Sequence, residues 1–225
     1  MMWKESSQMW KYWQTQMSLI ANISKIESLI IFALNTLRKY NQIFKFYLTV
    51  GRAYGIPTVA LRYFNVYGPR QSLNNPYTGV CAIFSARIKN GKPPLIFEDG
   101  LQTRDFVSVH DIVHANILAM ERNSGNYEVF NVGTGKATDI ITVAETLINL
   151  YRRDLKHEIT NKYRAGDIRH CFADISKIRK KLGFEPKISF EEGMKELVEW
   201  ASKIEARDRF DKAYKELEEK RLVGK

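Results

Sequence analysis

Arg164-Ala165-Gly166-Asp167 places a guanidinium and a carboxylate on one short turn. A guanidinium matches phosphate oxygens bidentately and a carboxylate accepts from hydroxyls, so the pair suits a diphosphate beside a ribose. Taken alone, the motif reads more simply as an intraloop salt bridge, worth about 0–1 kcal/mol at a surface. Arg104-Asp105 carries the same ambiguity. Gly133-Thr134-Gly135-Lys136 would present backbone N–H groups to an anion at the start of a helix. The fuller phosphate-loop patterns fail, because Phe130 stands where a Walker loop needs its first glycine and Thr138 where a dinucleotide fingerprint needs its third. A tight turn into a helix is the expectation there. His110 and His114 lie four apart, but Asp111 replaces the glutamate of a zinc-protease motif and no third ligand is evident, so no metal site is expected. No nucleophile elbow announces a serine triad.

Composition bounds what these residues can belong to. The chain has 225 residues, 44% of them hydrophobic and 27% charged, which suffices for one large or two small domains without disulfides or a structural metal. Cys81 and Cys171 form no CxxC pair, which fits a reducing cytoplasm. The formal net charge is +10, but the surplus is spread along the chain and alternates in sign from Lys212 to Arg221, unlike the clustered charge of a nucleic-acid binder. The apolar stretch from Met17 to Leu37 is interrupted at Lys25 and Glu27. That leaves about 10 clean residues against the ~20 a spanning helix needs. Trp3, Trp10, Tyr12 and Trp13 precede it, so neither a membrane span nor a targeting segment is expected.

The elements that must position the candidates alternate in type. A helical run from Phe46 to Gly55 leads to a strand, Thr58 to Phe64, and then to a long loop, Asn65 to Pro76. Helical spacing returns from Val80 to Lys89. Pro94 to Phe97 and Arg104 to Val109 read as short strands around a Glu98-Asp99-Gly100 turn, and Ser108 with Asp111 reads as a capping box for a helix through Glu121. A strand from Tyr127 to Val132 precedes a helix from Thr138 to Tyr151, and a short helix ends at Leu182-Gly183. Ser189 with Glu192 caps a last helix extending toward Lys220. The alternation predicts an α/β fold.

Four segments acquire one meaning in order: Leu61-Arg62-Tyr63-Phe64-Asn65-Val66-Tyr67-Gly68-Pro69-Arg70-Gln71, Gly100-Leu101-Gln102-Thr103-Arg104-Asp105-Phe106-Val107, Asn131-Val132-Gly133-Thr134-Gly135 and Arg164-Ala165-Gly166-Asp167. Together they resemble the C-terminal half of the extended short-chain dehydrogenases that epimerise or dehydrate nucleotide sugars, from about Phe46 to Trp200. The resemblance implies a remnant of a doubly wound Rossmann-type domain with a smaller C-terminal substrate-binding lobe. It implies that Asn65 holds the sugar nucleotide's pyrophosphate, that Arg104 and Arg164 neutralise it, that Asp167 takes the ribose hydroxyls and that Phe97 borders the base. Tyr63 and Phe64 would lie near the nicotinamide of NAD. Cys171, four after the ribose-binding aspartate, resembles a size gate whose small side chain leaves room for an N-acetyl group at the sugar's C2; a buried small hydrophobe is the plainer alternative. The activity implied is NAD-dependent 4-epimerisation of UDP-glucose or UDP-GlcNAc by a hydride round trip in a cytoplasmic enzyme of carbohydrate metabolism, homodimeric when intact. Asn75-Pro76-Tyr77-Thr78-Gly79 also resembles enzymes acting on dTDP-6-deoxysugars, so a dTDP-sugar epimerase, a dTDP-glucose 4,6-dehydratase and a non-catalytic sugar-nucleotide-binding remnant stand as alternatives.

Residues 1–45 do not resemble the family. Residues 46–70 match the last helix and strand of the dinucleotide-binding domain, 71–200 are mainly the substrate lobe with returning Rossmann elements, and 201–225 form a charged C-terminal helix or tail. The family's GxxGxxG loop is absent, and no tyrosine has a lysine four residues later; Lys39, Tyr40 and Lys45 stand at other spacings. No catalytic residue is therefore assigned. Because the resemblance stops abruptly while Leu48 to Gly55 still matches, a first segment misread from another frame is expected over a degenerate protein that kept its lobe. With no Gly-rich turn to hold a dinucleotide pyrophosphate, the purified chain is expected to bind NAD weakly or not at all. Calorimetry checks this, and micromolar affinity would overturn it.

Overall fold

The computed structural model describes residues 30–33 and 38–224, so most of the non-matching segment and of the apolar stretch lies outside the described residues. Strand β1 (Ile30–Ala33), helix α1 (Arg38–Ala53) and strand β2 (Thr58–Tyr63) form a parallel crossover, Ile30 facing Thr58. The helix expected from Phe46 thus begins earlier. Gly51 allows α1 to close onto β2, since a Cβ there would stand 2.1 Å from Thr58 Oγ1. Strand β7 (Glu128–Val132) pairs parallel on the other side of β2, giving the order β1-β2-β7. Val59, Ala60 and Leu61 in succession are buried, the signature of a strand covered on both faces. Ile112 and Leu118 of helix α3 (Val109–Glu121) and Ile178 and Leu182 of helix α5 (Ser176–Leu182) complete this core with Phe130 and Val132.

A second core belongs to the lobe. Helices α2 (Val80–Lys89), α4 (Ile140–Tyr151) and α6 (Phe190–Ser202) bury Phe84, Ile88, Leu147, Met194 and Leu197 against one another. The capping box expected at the start of α6 is present: Ser189 Oγ accepts from the Glu192 amide at 3.2 Å, and Glu192 Oε2 accepts from the Ser189 amide at 3.1 Å.

Short strands join the two cores, and here the sequence reading is corrected. The long loop opens with strand β3 (Asn65–Tyr67), which pairs parallel with β6 (Phe106–Ser108). The single strand expected from Arg104 to Val109 divides at Asp105: β5 (Thr103–Arg104) joins β8 (Thr138–Asp139) and β11 (His170–Cys171), while β6 joins β3. Strands β4 (Leu95–Ile96) and β9 (Glu158–Ile159) pair in parallel. Asp111 is no capping residue; it turns inward, its carboxylate accepting from the Lys187 and Ile188 amides at 2.9 and 3.2 Å. Helix α4 starts at Ile140, with Asp139 as its cap accepting from Thr142 N at 2.7 Å. The last helix is two, α6 and α7 (Phe210–Glu219), and the end of α2 packs into the break between them: Lys89 Nζ bonds the Ala201 and Ile204 oxygens, and Asn90 Nδ2 donates to Ala206 O at 2.8 Å.

At the division point Asp105 is fully buried. Its carboxylate accepts from Thr134 N (2.8 Å), Thr134 Oγ1 (2.6 Å), Gly135 N (2.9 Å) and Ala173 N (3.1 Å). Asp105→Ala should lower the unfolding free energy by at least about 3 kcal/mol, because several buried donors lose a charged acceptor at about 1–3 kcal/mol each. Asp105→Asn should recover only part of this, since its NH2 then faces donors. Urea unfolding measures both, and an alanine loss under about 1 kcal/mol would contradict the role.

Candidate functional site

The candidates gather in two groups. Around Asp105, β5 sets Arg104 beside Cys171 through the parallel pairing of Thr103 with His170 and Arg104 with Cys171. Arg104 is half-buried, and its Nη1 donates to the Thr103 and Arg169 carbonyls at 2.8 and 3.0 Å, leaving its other nitrogens outside these bonds. Asn65 opens β3, its amide donating to Asp105 O at 2.9 Å. It borders a shallow cleft with Gln71, Gly79, Val80 and Phe106 at the start of α2. Gly79 stands at the N-cap with φ 119° and no side chain caps the helix. The residues of this cleft come from three separate stretches of the sequence, so nothing local shows that they meet.

The second group forms on the segment from Glu158 to Asp167. The Glu98 amide donates to Lys162 O at 2.8 Å, which brings Phe97 under strand β10 (Tyr163–Arg164). Arg164 Cζ lies 5.0 Å from the Phe97 ring centroid, a cation–π contact. Arg164 Nη2 also meets Asp167 Oδ2 at 2.6 Å, with the two side chains 44% and 33% exposed. The intraloop bridge is therefore present, at the surface. Beyond it Arg169, which the sequence did not single out, joins Glu98 at 2.8 Å and Asp99 at 2.7 Å and holds the Asp99 carboxyl below the usual range. The Arg169 carbonyl receives both the Thr103 amide, at 3.0 Å, and Arg104 Nη1, so this segment links the two groups.

Other expected residues sit elsewhere. Tyr63 is 6% exposed within the sheet's core and donates its hydroxyl to Asn116 Oδ1 at 2.8 Å, and burial pushes its phenol above the ordinary range. Phe64 packs half-buried on the same core. The Gly133-Thr134-Gly135 turn wraps Asp105: its Thr134 and Gly135 amides are spent on the carboxylate, and a Cβ on Gly133 would stand 2.5 Å from Asp105 Oδ2. It is a tight structural turn and does not fit the pyrophosphate of NAD. His110 pairs with Glu196 at 2.9 Å and His114 packs on Phe184. Among the described residues no group of three or more His, Cys, Asp or Glu side chains is placed to hold a metal ion, and no helix is long and apolar enough to cross a membrane.

Comparison with known proteins gives this arrangement its context. Residues 43–197 match the family model described as GDP-mannose 4,6 dehydratase. The chain is 38% identical over 144 residues to a dTDP-L-rhamnose 4-epimerase of Burkholderia thailandensis, covering 64% of this chain and 39% of the relative. Among solved structures, the UDP-glucose 4-epimerase of Thermotoga maritima with UDP-glucose is 36% identical at TM-score 0.69, covering 78% of this chain and 64% of that one. The UDP-N-acetylglucosamine 4-epimerase of Methanobrevibacter ruminantium, in complex with UDP-N-acetylmuramic acid, is 34% identical at TM-score 0.72, covering 83% and 67%. The UDP-glucose 4-epimerase of Thermus thermophilus, in complex with NAD, is 26% identical at TM-score 0.64, covering 78% and 64%. The chain spans between 39% and 48% of the length of the curated relatives it matches. With the family model covering most of its length, the chain belongs to the NAD-dependent nucleotide-sugar epimerases and dehydratases, the extended short-chain dehydrogenases.

Proposed function

We propose that this chain is the nucleotide-sugar-binding portion of an NAD-dependent 4-epimerase of the UDP-glucose or UDP-GlcNAc type, acting in the cytoplasm, and that it does not catalyse on its own. The observation that carries the reading is the Arg164–Asp167 turn presented beside the Phe97 ring. An aromatic face, a guanidinium and a carboxylate suit a base, a diphosphate and a ribose respectively. The pairing of Arg164 with Asp167 does not oppose this. An exposed pair contributes about 0–1 kcal/mol, whereas a charged hydrogen bond to a diphosphate contributes about 1.5–3 kcal/mol, so the ligand wins the exchange. Arg104 and Asn65 supply a second cationic and polar edge.

No described residue takes the role of catalytic base. The buried Tyr63 phenol is held protonated by its surroundings, and no tyrosine is followed by a lysine at the fourth position. NAD serves the whole family in this reading and a homodimer is its intact form; the Gly133 turn, its amides taken by Asp105, does not fit the NAD pyrophosphate.

UDP should bind the chain more tightly than uridine, and Arg164→Ala should cost about 1.5–3 kcal/mol of UDP affinity, as loss of a charged hydrogen bond. Asp167→Asn should weaken binding while moving stability by no more than about 1 kcal/mol, since the bridge it breaks is exposed. Calorimetry and thermal melts check both, and equal affinity for uridine and UDP would refute the diphosphate site. At Cys171, half-buried beside Arg104, substitution by tyrosine should reduce binding of UDP-GlcNAc more than that of UDP-glucose, because a bulky ring rejects the larger sugar by steric clash. An unchanged ratio of the two affinities would show that Cys171 is no gate.

A further inference from the structure

The residues beyond the matched stretch do not trail into solvent but return to the nucleotide wall. Helix α7 is rooted by Arg87 of α2, which is 4% exposed and meets Asp211 at 2.8 Å and Asp208 at 3.3 Å, its guanidinium 4.9 Å from the Phe210 ring centroid. Arg87 Nε also donates to Pro93 O at 2.7 Å, just ahead of the strand that ends at Phe97. One turn along α7, the Tyr214 ring stacks on Phe97 with centroids 5.9 Å apart and planes at 24°, and its hydroxyl accepts from Lys162 Nζ at 2.8 Å. The chain then turns into strand β12 (Val223–Gly224), which pairs antiparallel with β10, Val223 facing Arg164. The Ala165 amide donates to Leu222 O at 2.8 Å. The same helix reaches the loop ahead of α2, where Tyr77 donates its hydroxyl to Glu216 Oε2 at 2.7 Å.

We propose that residues 207–224 are a strap that completes the nucleotide site, with Tyr214 as its positioning residue: the strap fixes the Phe97 ring and the main chain of Arg164 at the spacing that grips a nucleoside diphosphate. This rests on the sugar-nucleotide reading above. Past the Arg87 root, the contacts of Tyr214, Leu222 and Val223 fall on Phe97 and on the main chain of Arg164 and Ala165 and not on either core, and Ala213 is the only residue of α7 that is buried. Beyond the buried Arg87–Asp208 root, the segment from Tyr214 to Gly224 is held by ring stacking, exposed ion pairs and a two-residue ladder, and this part opens at low free energy. A ligand that needs the closed arrangement therefore stabilises it, and the strap in turn tightens the ligand, as linkage requires.

The test uses the whole chain and UDP. Tyr214→Ala should weaken UDP binding by about three- to ten-fold, the scale of one aromatic pair, while Tyr214→Phe, which keeps the ring and loses only the Lys162 contact, should bind like the original. In the unsubstituted protein, UDP should slow hydrogen exchange at the Ala165 amide, a measurement that does not depend on any variant folding. Unchanged exchange, or Tyr214→Ala binding as tightly as the original, overturns the strap while the nucleotide reading stands. Tyr214→Phe as weak as Tyr214→Ala overturns the ring's role on Phe97. Failure of the original chain to bind UDP removes the nucleotide reading and the strap with it.

Discussion

A single buried carboxylate governs how the two cores of this chain meet. Asp105 has no cationic partner among the atoms that hold it; its charge is satisfied by three backbone amides and one hydroxyl from two distant segments. Burying an ionised group without such donors would cost several kcal/mol, and the donors without it would be orphaned, so each side requires the other. The result is that the β5–β6 junction, the turn after β7 and the entry to α5 are held to one point. Gly133 must lack a side chain for the carboxylate to come so close. Asn65 and Arg104, each joined directly to this junction, inherit their places from it.

Asp111 repeats the device on a smaller scale. A carboxylate at the start of α3 accepts two amides from the segment that leads into α6, tying the sheet's helix to the lobe's. Both aspartates do for irregular backbone what ladders do for regular backbone, since buried N–H groups outside helices and sheets must still be paired. This explains why the strands around the site need only two or three residues each.

Charge in the protein divides by depth. The Arg87–Asp208 pair has side chains 5% and 4% exposed; removing one member would strand the other in a desolvated place, so this pair is a fixed anchor. The Arg164–Asp167 and Arg169–Asp99 pairs are near half-exposed and contribute little to holding the fold. The exposed pairs thus lie along the proposed nucleotide wall, and the fixed pair lies where the C-terminal helix is rooted.

The sequence by itself determined the elements whose information is local. Helix α2 has the bounds that its periodicity predicts, the Ser189–Glu192 box opens α6, and Gly133 to Gly135 is the tight turn that failed phosphate-loop spacing implied. The ordered motifs also placed the chain in its family, because they are stretches of contiguous residues. What only the tertiary structure decided depends on partners far apart in the chain. The donors to Asp105 lie 29, 30 and 68 positions away, the β3–β6 pair joins strands too short to show a period, and Arg169 has nothing local to mark it as the link between the two groups of site residues. The Tyr63 ring shows the limit from the other side: alternation along β2 turns it into the core, toward Asn116, a contact 53 positions away that only the packing of α3 against the sheet reveals.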